Sequence, residues 1–181
     1  MTEQRVKITY QDYLQLPEDQ RYEVLEGDLR RLPTPGTLHQ QVLSNLYDVV
    51  RAFVKEHGLG RVYFAPVDVI LDEDSVVQPD LLVILTEHLA IVKPEGVRGA
   101  PDLVVEVLSP HNAHRDRGIK RRLYGRYGVQ EYWLVDPQER TVEITCQRNS
   151  DRETVSIATA GMSLQSRLLP NLTLSVDELF A

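Results

Sequence analysis

The sequence predicts a mixed α/β protein with helices laid on a central sheet. Two almost wholly apolar runs, residues 80–85 and 102–108, have the length and composition of strands covered on both faces. Two helical stretches, one starting at Thr37 and one spanning about 113–127, fall in the chain order helix, three strands, helix, two strands. The chain has 181 residues, the length of one globular unit spanning 1–181.

A short helix is expected around residues 10–16, ahead of Pro17. Residues 22–26 and 29–32 read as two short strands around a tight turn at Gly27-Asp28. Pro33-Thr34-Pro35-Gly36 breaks that pattern. Thr37-x-x-Gln40 then fits a capping box, and Leu38, Val42, Leu46, Val49 and Phe53 recur at helical spacing beside Leu43, Val50 and Val54. Gly58 and Gly60 end this helix. Three strands are expected next, at 67–71, 80–85 and 102–108. The polar segment Ser109-Pro110-His111-Asn112 leads into the second helix, which Gly128 stops. Residues 131–135 and 141–145 read as two strands around Asp136-Pro137, and the C-terminal stretch adds a strand pair and a short helix at 176–180.

Composition narrows the function. One cysteine, Cys146, forbids an internal disulfide and a cysteine-rich zinc site. No apolar run approaches the roughly 20 residues of a membrane span, and the N-terminal residues lack the apolar core of a secretory signal. A cytoplasmic protein without membrane contact is the expectation. The net charge of −7 argues against a protein that coats nucleic acid through counterion release. An enzyme on nucleic acid remains compatible, since its metal site needs carboxylates and its basic surface can be local.

Chemistry enters at Glu106, a carboxylate in the middle of Leu103-Val104-Val105-Glu106-Val107-Leu108. Burying it costs several kcal/mol unless it is paired or coordinated. If 79–85 and 101–109 pair as an antiparallel hairpin, Asp80 falls near Glu106 and Asp102 at the other end. Two such carboxylates repel unless a cation lies between them. A hard divalent ion, Mg²⁺ or Mn²⁺, suits two carboxylates completed by water and phosphate, with the Val107 carbonyl as a third ligand. Asp116, Lys120, Tyr124 and Tyr127 form one stripe of the second helix, which projects Lys120 toward the carboxylates. A lysine there stabilises charge developing on a phosphoryl group.

Several motifs then combine. Gln78-Pro79-Asp80, the run from Pro101 to Pro110, Asp116-x-x-x-Lys120-x-x-x-Tyr124, and the run Gly128-Val129-Gln130-Glu131-Tyr132-Trp133-Leu134-Val135-Asp136-Pro137 resemble the Uma family of putative restriction endonucleases. Tyr22-Glu23-Val24-Leu25-Glu26-Gly27 and His39 also fit, so the resemblance covers about residues 8–180. It implies the PD-(D/E)XK nuclease fold: a restriction-endonuclease-like αβββαβ core with a mixed central sheet flanked by helices, here with extra N- and C-terminal strands. It also implies a metal-dependent phosphodiesterase site in which Asp80 and Glu106 are the motif carboxylates. Leu108 replaces the lysine of the superfamily pattern two residues after the second carboxylate, and the resemblance passes that role to Lys120.

The leading expectation is therefore an Mg²⁺-dependent endonuclease acting on DNA, with Asp80, Glu106 and Lys120 as its catalytic set. Arg115, Arg117 and Arg121 would contact phosphate, and cleavage of both strands would favour a homodimer. Accessory roles are open for Glu23 near the mouth of the site, for His39 in the first helical turn, and for Asp102, which otherwise only starts its strand. His111 and His114 lack metal-ligand spacing, and Tyr132 and Trp133 read as core. Two alternatives stand beside this: a catalytically inactive nuclease-fold binding or assembly module, and a small-molecule phosphohydrolase.

Overall fold

The computed structural model describes residues 6–109, 113–148 and 151–181. Residues 110–112, His111 among them, lie outside the described residues. The N-terminal part runs α1 (Tyr10–Tyr13), β1 (Tyr22–Leu25), β2 (Asp28–Arg31), α2 (Thr37–Glu56) and β3 (Gly60–Phe64). The middle comprises β4 (Val69–Asp72), β5 (Ser75–Val77), β6 (Leu81–Leu85), a 3₁₀ turn (Thr86–Ile91), β7 (Val92–Lys93), β8 (Gly96–Arg98) and β9 (Leu103–Val107). A composite helix follows: α3 (Ala113–Arg115), a π segment (Asp116–Lys120) and α4 (Arg121–Tyr127). The chain ends with β10 (Glu131–Asp136), β11 (Thr141–Arg148), β12 (Asp151–Ala158), β13 (Ser163–Gln165), β14 (Thr173–Ser175) and α5 (Val176–Leu179).

The main sheet has the order β12-β11-β10-β9-β6-β3. β9 and β10 run parallel across the composite-helix crossover, while β6 and β9 form an antiparallel pair with Leu81 opposite Val105 and Leu82 opposite Val104. Elements α2, β3, β6, β9, the composite helix and β10 thus supply the expected αβββαβ core. The β1–β2 hairpin ahead of α2 and the excursions of the chain between β3 and β6 and between β6 and β9 build a second sheet, β2-β1-β5-β4-β8-β7.

Strand alternation divides the core into two layers. Leu81, Val83, Leu103, Val105, Trp133 and Val135 face α2 and the C-terminal elements. Leu82, Ile84, Val104, Leu108, Tyr132 and Leu134 face α4 and the second sheet. Glu106, in phase with Val104 and Leu108, belongs to the second layer. Among the described residues, no helix is long and apolar enough to cross a membrane.

Several local expectations are corrected. Gly36, not Thr37, is the N-cap of α2, and no side chain caps it. The helix starts one residue early for Thr37 to bond back into the first turn. Its buried stripe is Val42, Leu43, Leu46, Val50 and Val54, whereas Leu38 and Val49 are exposed. The stripe is rotated because β3, β9 and α5 approach from the Leu43–Val50–Val54 side. The second helix is not continuous α-helix but contains a π segment at Asp116–Lys120.

Candidate active site

Continuing the β6–β9 register one step beyond Leu81–Val105 sets Asp80 opposite Glu106, at the end of β6 nearest the N-terminus of α2. The backbone N–H of Val107 donates to Asp80 Oδ2 at 2.8 Å, and the Ala65 N–H donates to the Asp80 carbonyl at 3.0 Å. His39, in the first turns of α2, places Nε2 3.2 Å from the same Oδ2, while its buried Nδ1 has no hydrogen-bond partner among the described residues. Asp80 is thereby fixed from two elements. Among the described residues, hydrogen bonds reach it on the side chain only at Oδ2.

Glu106 is buried and accepts at Oε1 from Lys120 Nζ (2.9 Å) and the Tyr124 hydroxyl (2.8 Å). Lys120 and Tyr124 are four residues apart, so both rise from one face of the composite helix toward the sheet. The Lys120 ammonium also lies 2.8 Å from Glu23 Oε1 and 3.5 Å from Asp116 Oδ1. Glu23, on β1 in phase with the core residue Leu25, is fully buried behind the lysine rather than at the mouth of the site. Its Oε1 accepts the Gln78 N–H at 2.9 Å, and its Oε2 is buried without a partner among the described residues.

The charge balance governs this cluster. Burial pushes the Glu106 carboxyl well up; Lys120 opposes the shift, and Asp116, Asp80 and Glu23 add to it. Burial likewise raises Asp116 to about 6, against the pull of Lys120. Burial alone would lower Lys120, but Glu106, Glu23 and Asp116 outweigh it and hold the lysine as an ammonium. Tyr124 is raised by burial and by the Glu106 charge, so it remains a donor.

These groups open onto a cavity of about 270 Å³ whose wall includes Asp80, Glu106, Val107, His39, Ser109, Asp116, Lys120, Gln78, Arg21 and the loop from Leu32 to Gly36. The π segment gives Asp116 and Lys120 a common direction, and the Tyr132 hydroxyl donates to the Asp116 carbonyl at 3.0 Å. Such π turns recur at functional sites.

The remaining expected residues do not reach the cavity. Asp102, at the far end of β9, accepts from Leu85 N–H (2.8 Å), His88 Nδ1 (2.7 Å) and Gln130 Nε2 (2.8 Å), which is a structural clamp. Arg117 pairs with Asp136 (2.9 Å) and Arg121 with Glu143 (2.9 Å), both against the β10–β11 hairpin. Arg115 is close enough to Asp116 for its charge to lower that carboxyl's pKa. Tyr132 and Trp133 are core.

The donor set fits a hard divalent cation. Asp80, just ahead of β6, and Glu106 on β9 are oxygen donors, each bonded at one oxygen among the described residues, beside a buried Ser109 hydroxyl that has no partner among the described residues. Among the described residues, no three His, Cys, Asp or Glu side chains converge to enclose a metal on their own. An ion held here would need its other ligands from water or a bound anion, as Mg²⁺ commonly does.

The αβββαβ core, with its paired carboxylates at a sheet end, has the architecture of a nuclease-like α/β protein. The chain belongs to the Uma2 family, described as putative restriction endonuclease, whose profile matches residues 10–177. A solved structure described as a putative nuclease belonging to DUF820, from Anabaena variabilis, superposes with a TM-score of 0.79 at 24% identity. The alignment covers 96% of this chain and 97% of that one. No curated protein matches the chain.

Proposed function

We propose that this protein is a divalent-metal-dependent endonuclease that hydrolyses phosphodiester bonds in DNA. The observation that carries the reading is Glu106: a buried strand carboxylate opposite Asp80, touched by a helix-borne lysine, on the wall of an open cavity. Asp80 and Glu106, with the Val107 carbonyl, would hold Mg²⁺ or Mn²⁺. When bound, such an ion supplies charge neutralisation at the phosphate and acidification of water.

The chain's own residues prepare the rest. Val107 N–H and His39 fix the orientation of Asp80. Tyr124 and Lys120 fix that of Glu106. Lys120, kept charged by three carboxylates, presents an ammonium beside the place where charge develops on the phosphoryl oxygens. It would thus do from the helix what the superfamily pattern gives to a strand lysine, in whose place stands the buried Leu108. A DNA substrate implies a cytoplasmic location, and a cut through both strands implies a two-fold dimer bringing two cavities together.

Incubation of supercoiled plasmid and labelled oligonucleotides with Mg²⁺ or Mn²⁺ tests this. Cleavage is expected from the wild type, with a loss of about 100-fold or more in Asp80→Ala and Glu106→Gln and abolition by chelator. Undiminished cleavage in both variants overturns the site. A folded wild type that binds DNA but never cuts it favours the inactive binding module, to which Leu108 in the strand-lysine position already points.

A further inference from the structure

The cavity presents a problem of charge: Asp80, Glu106 and Asp116 lie on its wall, yet the proposed substrate is an anion. Lys120 is held by three carboxylates. Arg117 and Arg121 are engaged with Asp136 and Glu143 outside the cavity. One other cationic side chain lines the wall among the described residues, Arg21.

Arg21 is positioned with some care. It precedes β1, and its carbonyl accepts the Leu32 N–H at 2.8 Å, which ties its backbone to the β1–β2 hairpin. Its Nε donates to Gln78 Oε1 at 2.8 Å. Gln78 Nε2 donates to Asp68 Oδ1 (2.8 Å) and contacts the Tyr13 hydroxyl (3.2 Å), so its amide oxygen can only face the arginine. Among the described residues, no carboxylate forms a salt bridge with Arg21. A guanidinium has five N–H donors in a rigid fork, and Gln78 occupies one.

We infer that Arg21 is the phosphate-binding residue of this site, taking the non-bridging oxygens of a DNA phosphodiester with its Nη groups. The inference rests on the phosphodiester reading above and names the contact by which that substrate is held. Gln78 sets the plane of the fork before the substrate arrives, and the half-buried position strengthens each charge-assisted hydrogen bond relative to one in water. Lysine cannot replace it fully, because an ammonium is a compact point charge without the rigid planar fork that takes two phosphate oxygens side by side.

The test is fluorescence anisotropy of a short labelled DNA strand and its duplex over a range of salt, in the non-cleaving Asp80→Asn background. Adding Arg21→Gln is expected to weaken binding about 10-fold and to reduce the salt slope by about 1. Arg21→Lys, which keeps the charge, should fall between, and thermal melts check that both variants fold. In the otherwise wild-type enzyme, Arg21→Gln should raise KM more than it lowers kcat. Binding unchanged in Arg21→Gln, a loss that falls on Arg117→Gln instead, or no DNA binding at all overturns the assignment. Arg21-dependent binding by a chain that never cleaves DNA upholds it and sinks the hydrolytic reading. Cleavage with KM unaltered in Arg21→Gln does the reverse.

Discussion

Lys120 has three carboxylate neighbours and almost no solvent, and that imbalance organises the site. One ammonium cannot neutralise Glu23, Glu106 and Asp116 together, so burial drives part of the cluster toward its protonated form. Asp116 shows the consequence most directly, raised by burial to about 6 from an ordinary 3.8. Between these values the folded chain retains a proton that the unfolded chain has released. Its contribution to stability is therefore fully present below pH 3.8 and lost as pH rises through about 6. Asp116→Asn removes it. In chelator, denaturant melts from pH 4 to pH 8 should show the variant losing less stability than the wild type, by on the order of 2–3 kcal/mol. Equal slopes would mean that Asp116 is not held neutral by its surroundings. At this scale Asp80, Glu106 and Lys120 were legible in the sequence, since a carboxylate inside an apolar strand demands a partner and the four-residue spacing pointed to one. Arg21 and Gln78 were not assigned there. A lone arginine ahead of a hairpin carries no periodic signal, and its meaning arises only where Gln78 meets it from the end of β5, the strand paired with β1. The sequence sets Glu23 near the mouth of the site, because it does not reveal that the second sheet packs behind the helix and buries that carboxylate.

Elements with long apolar periods were readable for the same reason that they fold: the pattern and the burial coincide. The hairpin of β6 and β9 follows from two buried runs, and its register follows from which ends carry carboxylates. Short strands carry little pattern of their own. The sequence gives no signal for β3, nor for β5, β7 and β8, which have two or three residues each and too little alternation to stand out. The π segment was equally hidden, because Asp116-x-x-x-Lys120 fits an ordinary helix. Yet β3 matters to the site, since the Ala65 N–H just beyond it holds the Asp80 carbonyl. Its first residue, Gly60, pairs with Leu85, and a Cβ there would lie 2.1 Å from the Ile84 carbonyl oxygen and 2.8 Å from the Leu85 Cα. Both obstacles are backbone, so the strand itself must move. Gly60→Ala should destabilise the fold by about 2–4 kcal/mol in denaturant titrations and reduce cleavage further by shifting Asp80. Wild-type stability in this variant would show that β3 accommodates the change without disturbing β6.

The whole molecule carries a net charge of −7, and four of its carboxylates, Asp80, Glu106, Asp116 and Glu23, meet where two sheets and a helix converge. A fold that gathers Glu106, Asp116 and Glu23 around one lysine, with Asp80 beside Glu106, is less stable for it, and a divalent ion bound to Asp80 and Glu106 would offset that repulsion. Binding of this kind is linked to folding, because the unfolded chain offers no such site. At about 100 times its Kd, an ion stabilises the native state by about 2.7 kcal/mol. In a chain of this length that raises the melting temperature by roughly 5–10 °C. The ion also competes with the proton that burial favours on Glu106, so the rise should be larger at pH 8 than at pH 5. Melts with Mg²⁺, Mn²⁺ or chelator provide the measurement, with Asp80→Ala and Glu106→Gln as partners to the wild type. A pH-dependent rise in the wild type, absent from both variants, places the ion between the two strands independently of any cleavage assay. An equal rise in all three proteins would put the ion elsewhere on an acidic surface, and no rise would leave the carboxylate pair without its counter-charge.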